Sequence, residues 1–173
     1  MTDYICGTVR ELLLKWEERD PFRLAQRMDI EILTLPLGEH LKGYFLYLSR
    51  VAVIVINDSI SAELQRVVCA HELGHAVLHK EIAMNSRFQE LSLFDNSVRT
   101  ESEATLFAAE LLIPDEELLM LLREDQTVFE AASCLSVPVD LVNVKLQLLR
   151  KKGVALCIPM ESTGDFLKSD RLI

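Results

Sequence analysis

The run His71-Glu72-Leu73-Gly74-His75 carries two imidazoles four residues apart, with a carboxylate beside the first. On a helix, residues at this spacing stand one above the other on one face, so both rings can aim at a single point. Such a point suits a divalent metal ion, zinc above all, which takes imidazole nitrogen at ~2.0–2.1 Å. Glu72 cannot share that direction fully and is placed to hold a water rather than to bind the ion. The competing reading is a surface helix that carries two His and a Glu by coincidence. Two conditions separate the readings: both His must lie on a packed stripe, and a third ligand must exist downstream.

Leu64, Val67, Val68, His71, His75 and Leu78 recur at helical spacing within a helix predicted from Ser61 to Lys80. This stripe is expected to face a core and to carry both His with it. Asp58, Ser59 and Ser61 offer N-cap oxygens at its start. Downstream, the run from Thr100 to Ile113 is rich in Ala, Leu and Glu and is stopped by Pro114, which predicts a second helix. Glu101, Ala104, Thr105, Ala108 and Leu112 share one face of it. The alanines allow close approach of another helix, and an ionised Glu in a packed place needs a cation partner. Glu101 and Glu103 lie about 200° apart around a helix, so only one can be the third ligand; Glu101 is preferred, on the face with Thr105 and Ala108. His79 extends the series 71, 75, 79, but its rise of about 12 Å from His71 keeps it from the same ion. It is expected to be a helix-end His stabilised by the helix dipole, with orienting a ligand or steadying the transition state as the other roles open to it. Tyr44, Tyr47 and Arg87 are candidates to steady an oxyanion.

The elements that must position these groups follow from periodicity. Residues 8–28 read as a helix broken near Asp20-Pro21, and Ile30–Leu35, Tyr44–Leu48 and Val51–Ile56 read as strands. The run Val51–Ile56 is β-branched and apolar on both faces, which predicts the centre of the sheet. Residues 81–99 read as a loop bordering the cleft. Three helical stretches follow: 115–123, 127–134 and 138–152, the last with Leu141, Val144, Leu148 and Leu149 on its apolar side. The final two resemble a helix-turn-helix. Gly153 ends the series, 154–158 reads as a short strand and the rest as a tail. The expected fold is α+β: a small mixed or antiparallel sheet of about three strands, packed on the His-bearing helix and further helices. A peptidase core over 1–125 is expected to carry the helix-turn-helix-like part and tail, 126–173, packed against it.

The 173 residues suffice for one domain with a real core. No apolar run is long enough for a membrane span, and the N-terminus lacks the pattern of a secretory signal. The four Cys are scattered singly, without a C-x-x-C pair, as in reduced cytoplasmic proteins. A net charge of −9 argues against direct nucleic-acid binding, which needs a basic footprint. A cytoplasmic protein without a membrane or nucleic-acid partner is therefore expected. Lys145 stands nearly alone on the second helix of the helix-turn-helix-like pair, and the dipole accounts for Arg150-Lys151-Lys152 at its end.

HELGHAVLH followed by ESEATLFAAELLIP resembles the ImmA/IrrE family of metallopeptidases. In that family a strand ending in Asn-Asp feeds the H-E-x-x-H helix, and a later helix supplies a glutamate ligand. The matching runs here are 53–58, 71–79 and 101–114, with a looser match over 115–152. The resemblance implies a zinc-dependent endopeptidase with His71, His75 and Glu101 as ligands and Glu72 as the catalytic base, other divalent metals remaining open. It also implies a protein substrate, a helix-turn-helix repressor of a prophage, mobile element or stress regulon, so that cleavage acts as an anti-repressor. Thr105 stands where the family usually has Asn or Asp; a hydroxyl orients a ligand His more weakly. The alternative is a non-catalytic regulator or binding module that uses the helices over 127–152.

Overall fold

The computed structural model describes residues 1–48, 50–80 and 98–155. Residues 81–97 of the expected 81–99 loop, Arg87 among them, most of the 154–158 strand and the tail lie outside the described residues; Val98 and Arg99, read as the end of that loop, instead begin a helix. The elements, in chain order, are α1 (Thr2–Trp16), α2 (Pro21–Arg27), β1 (Ile30–Leu35), β2 (Gly43–Leu48), β3 (Val51–Asn57), α3 (Ala62–Leu78), α4 (Val98–Leu112), α5 (Asp115–Arg123), α6 (Val128–Cys134) and α7 (Val139–Lys151). The fold is α+β, as expected.

Strand order is β1-β3-β2, with β1 parallel and β2 antiparallel to β3. The β-branched run of β3 therefore sits in the middle, where Ile54 and Ile56 are fully buried. Asn57 ends β3 and is itself buried. Its amide donates to the carbonyls of Gly38 (2.6 Å) and Leu41 (2.8 Å), and its Oδ1 accepts from the backbone and hydroxyl of Ser59. One side chain thus ties the β1–β2 loop to the turn that launches α3. Of the three N-cap candidates, Ser61 takes the position and accepts from Leu64 N–H.

The N-terminal helix starts at Thr2, earlier than its periodicity predicts, because Ile5, Cys6 and Val9 pack into the core. The break comes where expected: Asp20 caps α2 and Pro21 occupies its first turn. α3 lies between the sheet and α4, and α4 is flanked in turn by α1 and α7. α6 and α7 pack into the same apolar core, through Ala131, Leu141, Val142 and Leu148 among others. α7 ends in a Schellman arrangement: Gly153, at φ 82°, donates to Arg150 and Val154 donates to Leu149.

Two expectations about packing need correction. The side of α3 most deeply buried is Cys69, Ala70 and Leu73, all inaccessible, and not the His stripe. Of that stripe Val68 and His75 are buried, whereas Leu64, Val67, His71 and Leu78 are half-buried. A helix sandwiched between sheet and helix is covered on two sides, so one apolar stripe underdescribes it. Secondly, Lys145 is not a lone exposed cation. It is 1% exposed, with its Nζ 2.6 Å from Glu110 and in contact with Asp115. Lys152 bridges the same two carboxylates at 2.7 and 2.9 Å, so the helix dipole is not its only partner.

Candidate metal centre

α3 and α4 cross where both carry small residues. A Cβ on Gly74 would lie 3.1 Å from the Ala104 Cα and 3.2 Å from the Ala104 carbonyl oxygen, so the backbones touch there. This contact sets His71 and His75 against the first turns of α4. Sheet and helix meet in the same manner at Gly43, where an added Cβ would lie 2.5 Å from Val68.

The close crossing brings together the three residues singled out as ligands. His71 Nε2 lies 3.2 Å from Glu101 Oε2, His75 Nε2 lies 3.2 Å from Glu101 Oε1, and the two Nε2 atoms are 3.2 Å apart. Ligands at ~2.0–2.1 Å in a tetrahedron are separated by about 3.3 Å, and each of these three contacts has that length, with the carboxylate reaching the two histidines through different oxygens. The Glu101 side chain is 39% exposed, yet its Oε1 is shielded from solvent and has no hydrogen-bond partner. With both Nε2 atoms turned inward as lone pairs, two imidazoles and a carboxylate at this distance repel unless something positive sits among them. The donor set therefore fits a divalent cation.

Electrostatics agree. Burial, followed by the neighbouring His71 and His79, pushes His75 down to about 3, and burial lowers His71. Both rings are neutral at neutral pH and present lone pairs. Glu72 is 8% exposed, and burial together with the Glu101 charge pushes its carboxyl up to about 8. A backbone hydrogen bond from Phe45 of β2 pulls partly the other way.

Glu103, the alternative ligand, lies elsewhere. Its Oε2 is 2.8 Å from His79 Nε2, and its Oε1 accepts from Arg99 at 2.9 Å. Thr105 donates its hydroxyl proton to the Glu101 carbonyl at 2.8 Å and leaves a lone pair 3.4 Å from His71 Nδ1. His79 reaches His75 through Nδ1 at 3.3 Å. Among the tyrosines, Tyr47 has the Lys80 ammonium 5.6 Å from its ring centre, at the C-terminal end of α3. Tyr44, three residues earlier on the strand, projects to the opposite face of β2. Nothing in the sequence announces the Glu103–His79 pair beyond the spacing of four between His75 and His79.

Two histidines on one helix, a carboxylate from a second and a buried carboxyl beside them form a donor set of the kind metallohydrolases use. Residues 25–147 match the family model of the IrrE N-terminal-like domain, a peptidase family, and the chain belongs to that family. It is also 33% identical over 141 residues to "Uncharacterized immunity region protein 2" of Bacillus phage phi105, a match covering 82% of this chain and 88% of the relative.

Proposed function

We propose that this chain is a zinc-dependent endopeptidase that cleaves a helix-turn-helix transcriptional repressor in the cytoplasm. In this reading His71, His75 and Glu101 hold the ion and Glu72 is the catalytic base. The observation that carries it is the convergence of the two His Nε2 atoms and the Glu101 carboxylate, with contacts of 3.2 Å, beside the buried carboxyl of Glu72. When bound, the ion supplies an acidified water and polarisation of the substrate carbonyl. Glu72 accepts the proton that this water gives up as it adds to the carbonyl carbon, then returns it to the amine nitrogen as the peptide bond breaks.

The Phe45 N–H meets Glu72 and not β3, so this edge of β2 borders the site. An extended peptide can add to that edge by strand pairing. β3 cannot serve, since it is paired on both sides. The phage immunity-region relative supports a repressor as substrate.

A second reading, a regulator using the last two helices, draws on the 107° angle between α6 and α7, which is in the helix-turn-helix range. The exposed positions of α7 are Asp140, Asn143, Gln147, Arg150 and Lys151, while Lys145 is buried. Two adjacent cations at the helix end, with none along the rest of the exposed face, are a poor phosphate footprint. No single described helix is long and apolar enough to cross a membrane.

Co-expression with helix-turn-helix repressors, comparing the parent with Glu72→Gln, tests the proposal. The parent is expected to cut a repressor that the variant leaves whole. Equal cleavage by both would remove Glu72 from the chemistry and with it the mechanism.

A further inference from the structure

His71 and His75 have different partners behind them. Among the described residues His71 Nδ1 faces only the Thr105 hydroxyl, at 3.4 Å, the long end of a hydrogen bond. His75 Nδ1 faces His79 Nδ1 at 3.3 Å, and His79 Nε2 lies 2.8 Å from the Glu103 carboxylate. The His79 and Glu103 side chains are only 11% and 13% exposed, so this pair is shielded from water. Arg99, itself mostly exposed, holds the other Glu103 oxygen at 2.9 Å.

We infer that His79 and Glu103 are positioning residues that orient His75 through a carboxylate–imidazole–imidazole relay. The inference rests on the reading of His71, His75 and Glu101 as metal ligands. Valency sets the proton positions. With His75 Nε2 turned to the triad as a lone pair, the ring proton sits on Nδ1 and is donated to His79 Nδ1. The His79 proton then sits on Nε2 and is donated to Glu103 Oε2. Each ring has one donor and one acceptor, and each is used. A ligating His ordinarily passes its second N–H straight to a carboxylate or carbonyl, which fixes the tautomer and strengthens the ligand. Here a second imidazole is interposed, and the charge that supports His75 stands one ring further away. A His stabilised only by the end of the helix would need no such partner as Glu103. The strong orienter therefore lies behind His75, where it offsets the weak one that Thr105 gives His71.

The test is the Zn²⁺ affinity of the metal-free full chain, by competition with a chromophoric chelator, in the parent, His79→Phe, Glu103→Gln, the double variant and His71→Ala. The relay predicts a loss of affinity of roughly 10-fold or more for His79→Phe. A smaller loss is expected for Glu103→Gln, with a double variant no weaker than His79→Phe alone. Long-range ¹H–¹⁵N spectra of the Zn²⁺-loaded parent should show His79 protonated on Nε2 and His75 on Nδ1. Should His79→Phe fail to fold, Glu103→Gln, which preserves shape, carries the test. Affinities within twofold of the parent for both single variants, or His79 protonated on Nδ1, would overturn the relay while a large loss in His71→Ala upholds the ligand reading. A parent that binds no Zn²⁺ overturns both.

Discussion

Two charged clusters occupy opposite ends of α4, and they differ in how their charge is balanced. Near its C-terminal end, Glu110 and Asp115 meet Lys145 and Lys152, two anions against two cations. Burial alone would raise the Asp115 carboxyl, but the two lysines outweigh it and hold it below its usual value. Near the N-terminal end, Glu101 meets two imidazoles that burial keeps neutral, and its Oε1 has no hydrogen-bond partner. The first cluster is closed and clamps α4, α5 and α7 together. The second is open by one positive charge. A fold that satisfies one pair of carboxylates so fully and leaves a shielded oxygen of Glu101 without a hydrogen-bond partner marks the second cluster as a place for a ligand.

The sharpest way to break this contrast is at Glu72. Glu72→Gln is expected to lower peptide-bond hydrolysis by about 10²–10⁴-fold, measured as kcat on a cleaved repressor, while metal binding persists. Next comes the closed cluster. Lys145→Ala leaves two carboxylates short of a partner and should cost about 3–5 kcal/mol in denaturant unfolding, with Zn²⁺ affinity unchanged in the folded fraction. Gly74→Ala pushes on the Ala104 backbone at the helix crossing. It should cost about 1–3 kcal/mol and also weaken metal binding, since the same crossing sets the ligand triangle. A variant that loses stability but keeps the parent affinity would separate packing from ligand placement.

The metal-free protein should show opposed pH limbs. Glu72 is raised from 4.5 to about 8, so the unfolded state releases this proton first, and stability falls as pH rises between those values. The slope is at most about 1.4 kcal/mol per pH unit. His75 is lowered from 6.5 to about 3, so stability falls as pH drops through that window. Thermal melts across pH 4–9 should lose the alkaline limb in Glu72→Gln. The smallest effect is expected for Thr105→Val, a few-fold in Zn²⁺ affinity, because the bond it removes is long.

The open cluster was far more legible in the sequence than the closed one. His71, Glu72 and His75 are local, and helical geometry relates them without knowledge of the fold. Glu101 is favoured over Glu103 by its helix face and by the spacing of the family it resembles, and the structure puts Glu101 beside His71 and His75 and Glu103 on His79. The Lys145 cluster joins residues from three helices, so no spacing announces it, and Lys145 reads as a solvated cation. The same holds for Asn57, whose partners Gly38 and Leu41 lie in a loop without periodicity. Strands β1 to β3 were legible because their apolar runs are short and bounded by turn residues. The His stripe misled about α3, since two neighbours cover that helix and not one.

The central claim is that the open cluster holds one cation through Glu101. The direct measurement is the Zn²⁺ stoichiometry and affinity of the parent, Glu101→Gln and Glu103→Gln by competition titration. The account predicts one equivalent in the parent, its loss in Glu101→Gln, and one equivalent at reduced affinity in Glu103→Gln. Stoichiometric binding of parent strength in Glu101→Gln, or no binding in the parent, would contradict it.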